Sequence, residues 1–152
     1  MEKETIRIIE SIKNKYRKAK QKCSFKDCDQ EAIKFSHVLQ KNGILRNISQ
    51  DNHLYQFHIS SFFNTEKNGK FLMKKIGINE VFTFPGFCKY HDNKIFSPIE
   101  SSKIDFENRS TNILFAYRAI CQEIYRKNVA KNIYEELITL KLNINHLLIL
   151  TN

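Results

Sequence analysis

The 152-residue sequence lacks any apolar run that approaches the length of a membrane span. A helix needs about 20 apolar residues to cross a bilayer. Three of the first five residues are charged, so this segment does not resemble the hydrophobic core of a signal peptide. Together these absences predict a cytoplasmic protein with no membrane partner.

Acidic residues are scarce relative to basic ones. The chain has 25 lysines and arginines against 16 aspartates and glutamates, which leaves a formal net charge of +9. A surplus of this size attracts polyanions through counterion release, whatever their sequence. Nucleic acid is therefore an expected partner, although net charge reports only non-specific attraction and many basic proteins bind none.

Cysteine is scarce too, with four residues in the chain. In a reducing compartment these are metal ligands or buried thiols more often than disulfides. Cys23 and Cys28 flank a short polar loop, and Cys88 lies three positions before His91 on a turn that runs into a helix. Each pair supplies half of a tetrahedral zinc shell. The spacing predicts that one structural zinc joins the two loops; the alternative is two coincidental pairs. Cys121 lies in an apolar helical stripe and is predicted to be core.

Hydrophobic periodicity predicts an α+β protein with helices at both ends. Apolar residues recur at helical spacing over 3–22, where neither proline nor glycine interrupts them. The middle is β-rich, with alternation over 53–59, an Asn-Gly turn at 64–69 and short strand candidates at 71–73 and 81–84. Two helices are predicted from about Arg109 onward, the second over 129–142.

No internal repeat or low-complexity linker divides the sequence. We therefore predict a single domain over residues 1–152. Its parts are a basic N-terminal helix at 1–22, a zinc-binding core with a β-rich insertion at 23–100, and a helical tail at 108–152. The apolar helices of this tail also predict an oligomer or a partner protein that binds through them.

The order of these motifs resembles an HNH endonuclease of the ββα-metal, treble-clef kind. The resemblance covers roughly residues 23–97. The two zinc-binding pairs of that family are matched by Cys23 with Cys28, and by Cys88 with His91, where histidine replaces a cysteine. The resemblance implies a structural zinc, a treble-clef core and an activity on nucleic-acid phosphodiesters.

The same resemblance implies two catalytic residues. His37 matches the histidine that activates water, and Asp92 falls where the family usually has a metal-binding histidine. Asp92 would then hold Mg²⁺ or Mn²⁺. Two features depart from the family. Ser36 stands where an acidic metal ligand is common, and the insertion between Leu45 and Phe84 is longer than the compact core requires.

Both catalytic assignments have a structural alternative. A histidine that follows an apolar run, as His37 does, is often buried and bonded to a backbone carbonyl. An aspartate in the first turn of a helix, as Asp92 would be, complements the helix dipole.

Two functions follow from these motifs. The first is a zinc-stabilised HNH-like, metal-dependent hydrolase of nucleic acid. The segment from Gly86 to Phe96 resembles uncharacterised bacterial proteins of this type, some of them linked to phage defence. The second is a non-catalytic zinc-binding treble-clef module that binds nucleic acid or a partner protein.

Overall fold

The computed structural model describes residues 3–59, 71–100 and 104–140. The elements are, in order, helix α1 (Lys3–Lys18), strand β1 (Ser36–His37), a π-helical turn (Lys41–Leu45), helix α2 (Arg46–Ile48), strands β2 (His53–Ile59), β3 (Phe71–Gly77) and β4 (Thr83–Phe84), helix α3 (Lys89–Phe96), a 3₁₀ turn (Ser97–Ile99) and helix α4 (Arg109–Thr139). This mixture of helices and small sheets confirms the predicted α+β class.

The described strands form two separate two-stranded sheets. Strand β1 pairs with β4 in antiparallel register, with Ser36 opposite Phe84 and His37 opposite Thr83. The backbone N–H of Val38 continues this pairing with a 2.9 Å hydrogen bond to the carbonyl of Phe82. Strand β2 pairs with β3. His37 therefore lies at the last position of a short, paired strand.

The chain forms two compact units. One contains Met1–Ala19, Phe57–Lys74 and Arg126–Asn152, and the other contains Lys20–Gln56 and Lys75–Tyr125. Every residue that the sequence assigns to metal binding or catalysis belongs to the second unit. The single domain expected over 1–152 stays a prediction.

An aromatic core organises the second unit. Phe84, Phe87 and Phe96 are buried together with Ile99 and Cys121. The rings of Phe87 and Phe96 meet edge to face, with their centroids 4.9 Å apart. Burial of a phenylalanine contributes about 1.5–3 kcal/mol, so this cluster fixes strand β4, helix α3 and the first half of α4 against one another. The buried position of Cys121 confirms its assignment to the core.

The other unit has a smaller aliphatic core. Ile9 and Ile12 of α1 pack against Ile133 and Leu137 of α4. These are the positions that helical periodicity selects on α1. Helix α1 ends at Lys18, four residues earlier than predicted. The chain beyond it is drawn into an antiparallel bridge between Lys22 and Glu31.

The helical tail differs from its prediction. One helix of 31 residues, Arg109–Thr139, replaces the two that were expected, because no glycine or proline interrupts the sequence between them. Its apolar stripe divides: Leu114, Tyr117 and Cys121 pack on or within the core, whereas isoleucines at 113, 120 and 124 are exposed. None of the helices within the described ranges combines the length and apolar character needed to span a membrane.

Two predicted features lie outside the described residues. They are the Asn-Gly turn at 64–69 and the apolar segment at 144–150. The expected contact of an oligomer or partner protein with the tail stays a prediction.

Candidate metal centre and the polar cluster beside it

The first cysteine pair lies on a tight loop. The N–H of Cys23 donates to the carbonyl of Gln30 (2.9 Å), and the N–H of Cys28 donates to the carbonyl of Phe25 (3.2 Å). Asp27 has a positive φ of 59°, a conformation that aspartate tolerates better than most residues. The left-handed residue turns the loop back on itself, so that both thiols lie on one side.

The second pair lies at the start of α3. Cys88 is the extended N-cap residue of this helix, and the N–H of Asp92 closes the first helical turn onto its carbonyl at 2.9 Å. Residues three apart at a helix start share one face, so the side chains of Cys88 and His91 point the same way. The loop is tied to this segment by the N–H of Ser24, which donates to the carbonyl of Gly86 at 2.7 Å.

The four donor atoms converge. All of them lie within 4.8 Å of one another. His91 Nδ1 is 3.5 Å from Cys23 Sγ and 3.3 Å from Cys88 Sγ, and the sulphurs of Cys28 and Cys88 are 4.0 Å apart. A tetrahedral zinc with ordinary Zn–S and Zn–N bonds separates its ligands by about 3.5–3.8 Å. The donor set is therefore compatible with zinc, and all three cysteines are free of disulfides.

The surroundings of two of the thiols shift their pKa values in opposite directions. Burial raises the pKa of Cys23, whereas a hydrogen bond from the backbone N–H of His91 lowers the pKa of Cys88. Cys88 thus has the environment that favours the thiolate, the form that binds metal. The ring of Phe25 stacks on that of His91 with centroids 4.1 Å apart, which holds the imidazole plane in place.

His37 lies at the end of β1, with one ring nitrogen committed. Its Nε2 is 2.8 Å from the carbonyl oxygen of Ile78. A carbonyl only accepts, so Nε2 carries the proton, and in the neutral ring Nδ1 then keeps its lone pair. Burial lowers the pKa of His37, and the charges of Lys41 and Arg118 lower it further. The neutral imidazole with a basic Nδ1 is therefore the form present at pH 7.

Ser36 connects the strand to Asp92. Its hydroxyl accepts a 3.4 Å hydrogen bond from the N–H of Phe87 and donates one to the Asp92 carboxylate. Burial raises the pKa of Asp92, while Arg118 and the Ser36 hydroxyl act in the opposite direction. Because Ser36 is fully buried, its hydroxyl restricts the orientation of the Asp92 carboxylate.

Two charged residues that sequence reasoning missed complete this cluster. Arg118 of α4 is 1% exposed; its Nη1 is 2.6 Å from Glu100 Oε1, and its Nη2 is 3.6 Å from Asp92 Oδ1. Arg118 had one sequence signal, since it interrupts an apolar helical stripe and a buried arginine requires partners. Glu100 had no comparable signal, because only the fold brings it to Arg118.

The structure thus brings the predicted residues together in two places. Cys23, Cys28, Cys88 and His91 form the candidate metal centre, and His37 and Asp92 lie in one polar cluster, close enough for the charge of His37 to lower the pKa of Asp92. Among the described residues, no second group of three or more metal-binding donors lies close together. The catalytic roles of His37 and Asp92 stay predictions.

One atom of the cluster is suited to a hard cation. Asp92 Oδ1 is buried and accepts no hydrogen bond from the described residues, although Arg118 Nη2 faces it at 3.6 Å. Mg²⁺ and Mn²⁺ prefer oxygen, and Mg²⁺ is usually held by one or two carboxylates with several waters. The Asp92 carboxylate therefore fits the kind of ion that the HNH resemblance implies.

Comparison with known proteins adds no name to this site. No family model matches the chain, and neither the curated proteins nor the solved structures contain a significant match to it.

Proposed function

We propose that this protein is a zinc-stabilised, HNH-like hydrolase of nucleic-acid phosphodiesters. The order of its elements supports a treble-clef core. A two-cysteine loop comes first, the β1–β4 pair follows, and α3 carries Cys88 and His91. Zinc in this shell is structural, because four protein ligands leave no open position for substrate.

The hydrogen bond of His37 to the Ile78 carbonyl is the observation that carries the proposal. The tautomer of the ring is set by this carbonyl, which leaves Nδ1 as a base at the end of a strand beside Asp92. In the proposed reaction, Nδ1 takes a proton from the water that attacks phosphorus. The P–O bond to the leaving oxygen then breaks, and that oxygen takes up a proton.

A divalent ion would be held by Asp92, with Ser36 and Arg118 fixing the carboxylate. When bound, such an ion supplies positive charge that stabilises the leaving oxygen. The net charge of +9 supplies attraction to the phosphate backbone.

The test is cleavage of plasmid DNA and of RNA by zinc-loaded protein with Mg²⁺ or Mn²⁺. His37→Ala should lower the rate about 10²–10⁴-fold while the zinc content stays at one per chain. His53→Ala is the matched control, because His53 is exposed and bonded to the Asp51 carbonyl. Equal rates for His37→Ala and the unmodified protein would contradict the proposal.

A second function is favoured by the contacts of Asp92 and His37 themselves. Ser36 and Arg118 hold Asp92, and Ile78 holds His37, so both residues also fit a non-catalytic zinc module that binds nucleic acid. Salt-dependent binding without cleavage in either metal would select this alternative.

A further inference from the structure

We infer that Glu100 supplies the carboxylate that Ser36 does not, and that Arg118 is the positioning residue that holds Glu100 and Asp92 beside His37. The chemistry of this inference rests on the proposed function. Its geometry rests on the contacts of Arg118. The site would take a divalent cation of the Mg²⁺ or Mn²⁺ class.

Arg118 is fixed before any cation binds. Its guanidinium lies over the ring of Phe96, with Cζ 4.1 Å from the ring centroid, and two of its nitrogens face two different carboxylates. Planar stacking and forked donation are properties of arginine that lysine lacks. One side chain therefore sets the separation and the orientation of Asp92 and Glu100.

The carboxylates lie on the solvent side of this arrangement. Exposure of the side chain rises from 1% at Arg118 to 16% at Asp92 and 37% at Glu100. A cation that arrives from solution therefore meets the more exposed Glu100 carboxylate first, because Asp92 Oδ1 itself is buried. With His37 neutral, the two carboxylates and the guanidinium sum to a charge of −1, and Lys41 is a further cation that acts on His37.

Some buried polar atoms of the cluster also lack a hydrogen bond. Asp92 Oδ1 and Arg118 Nε are buried without a hydrogen-bond partner among the described residues. A network with only a structural role normally pairs all of its buried polar atoms. Asp92 Oδ1 faces Arg118 Nη2 at 3.6 Å without a hydrogen bond, and it belongs to the carboxylate that the HNH resemblance assigns to a metal.

The position of Glu100 explains the departure at Ser36. The Ser36 side chain is completely buried and bonded to the N–H of Phe87, so an acidic side chain at this position would be buried as well. Glu100 follows the 3₁₀ turn after α3 and joins the cluster through Arg118. Two carboxylates, waters and a substrate phosphate make an ordinary Mg²⁺ shell, and ligating carboxylates are commonly oriented by hydrogen bonds from outside that shell.

The first experiment measures Mn²⁺ binding to zinc-loaded protein by electron paramagnetic resonance, without nucleic acid. Glu100→Gln should weaken Mn²⁺ binding about 10–100-fold, and Asp92→Asn should weaken it at least as much, with the zinc content unchanged in both. Glu107→Gln is the matched control on an exposed loop and should bind as the unmodified protein does. Failure of the unmodified protein to bind Mn²⁺, or equal affinities for it and Glu100→Gln, would overturn the inference.

The second experiment tests Arg118 as a positioning residue. Arg118→Gln should weaken Mn²⁺ binding and lower kcat, and Arg118→Lys should restore only part of either, because an ammonium does not bridge two carboxylates in a fixed geometry. A folded Arg118→Gln protein with unchanged Mn²⁺ affinity would show a purely structural role. Should the Arg118 variants fail to fold, Glu100→Gln decides the question, since Glu100 is partly exposed.

The two proposals fail in different ways. Cleavage that depends on His37 but not on Glu100 would leave the proposed function standing and remove this inference. Binding of Mn²⁺ that depends on Glu100 and Asp92, without any cleavage, would support the cation site and contradict the hydrolase.

Discussion

Two sites begin on neighbouring residues of α3, and they differ in the type of their donor atoms and in how closely those atoms converge. His91 joins three sulphurs within 4.8 Å, a set of soft donors that converges on one point. Asp92 belongs to a cluster of oxygen ligands instead, in which the guanidinium of Arg118 faces the carboxylates of Asp92 and Glu100. Donors that converge on one point suit a structural metal, whereas a buried oxygen without a hydrogen bond suits the catalytic role that we propose for Asp92.

The two sites also differ in the structural elements that assemble them. The metal centre is assembled from a loop and a helix start, which backbone hydrogen bonds such as Ser24 to Gly86 tie together. The polar cluster is assembled from side chains of β1, α3, the segment after it and α4, with Arg118 at its centre. The first site would therefore depend on its proposed zinc for its structure, whereas the second depends on the aromatic core, since Arg118 lies over the ring of Phe96.

Loss of a zinc ligand should have the largest effect. Cys88→Ala should abolish zinc binding and unfold the unit formed by Lys20–Gln56 and Lys75–Tyr125, because structural zinc contributes about 10–16 kcal/mol of apparent binding free energy in small domains. Elemental analysis and circular dichroism measure the two effects. Cys121→Ala is the control, since it removes a buried thiol from the core but no zinc ligand. A Cys88→Ala protein that keeps both its zinc and its fold would break the distinction between the two sites.

The pH dependence of cleavage should be the next largest effect. Burial lowers the pKa of His37, so the base is lost only as pH falls through a value below the usual 6.5. The acid limb of kcat/KM should therefore have its inflection below pH 6.5. Stability should fall in the same direction, because the unfolded chain binds this proton first.

Substitution of the charged residues that face His37 should shift the pH dependence of kcat/KM. Lys41 and Arg118 lower its pKa, whereas Glu100 raises it, and the nearby Asp92 carboxylate belongs to the same cluster. Lys41→Gln, at a partly exposed position where the ammonium donates to Asn79 Oδ1, should shift the acid limb to higher pH without changing the zinc content. An acid limb that lies above pH 6.5 in the unmodified protein would argue against His37 as the base.

A glycine between the two sites should give the smallest effect. A Cβ on Gly86 would overlap the ring of Phe84, so Gly86→Ala should lower the free energy of unfolding by about 1–3 kcal/mol. Gly77→Ala is the control, because a Cβ there meets nothing within 4 Å, and it should leave stability unchanged or raise it by up to about 1 kcal/mol. Thermal unfolding compares the two. Equal shifts would mean that the Gly86 segment adapts, and that the two sites are less rigidly joined than their contacts indicate.

Local patterns predicted much of this molecule. The alternation at 53–59 predicted strand β2 residue for residue, and the spacing of Cys88 and His91 predicted two donors on one face of a helix start. These features depend on neighbours within a few positions. The treble-clef assignment, the identity of the metal and the use of a second cation remain proposals.

Other features depend on distant contacts and left little trace in the sequence. Helix α1 ends early because Lys22 pairs with Glu31, and Glu100 joins the site because α4 delivers Arg118 to it. The predicted break in the tail was wrong because Asn128 and its charged neighbours disfavour a helix too weakly to end one. Arg118 itself was detectable, since a cation within an apolar stripe requires a buried partner.

Because one peptide bond joins His91 to Asp92, the two proposed metal ions would depend on each other. A movement of the first turn of α3 that opened the zinc shell would also shift Asp92 away from Ser36 and Arg118. Depletion of zinc should therefore abolish binding of Mg²⁺ or Mn²⁺ at free zinc concentrations where helix α4 is still intact. The supply of a metal that takes no part in the reaction would then govern whether the reaction occurs.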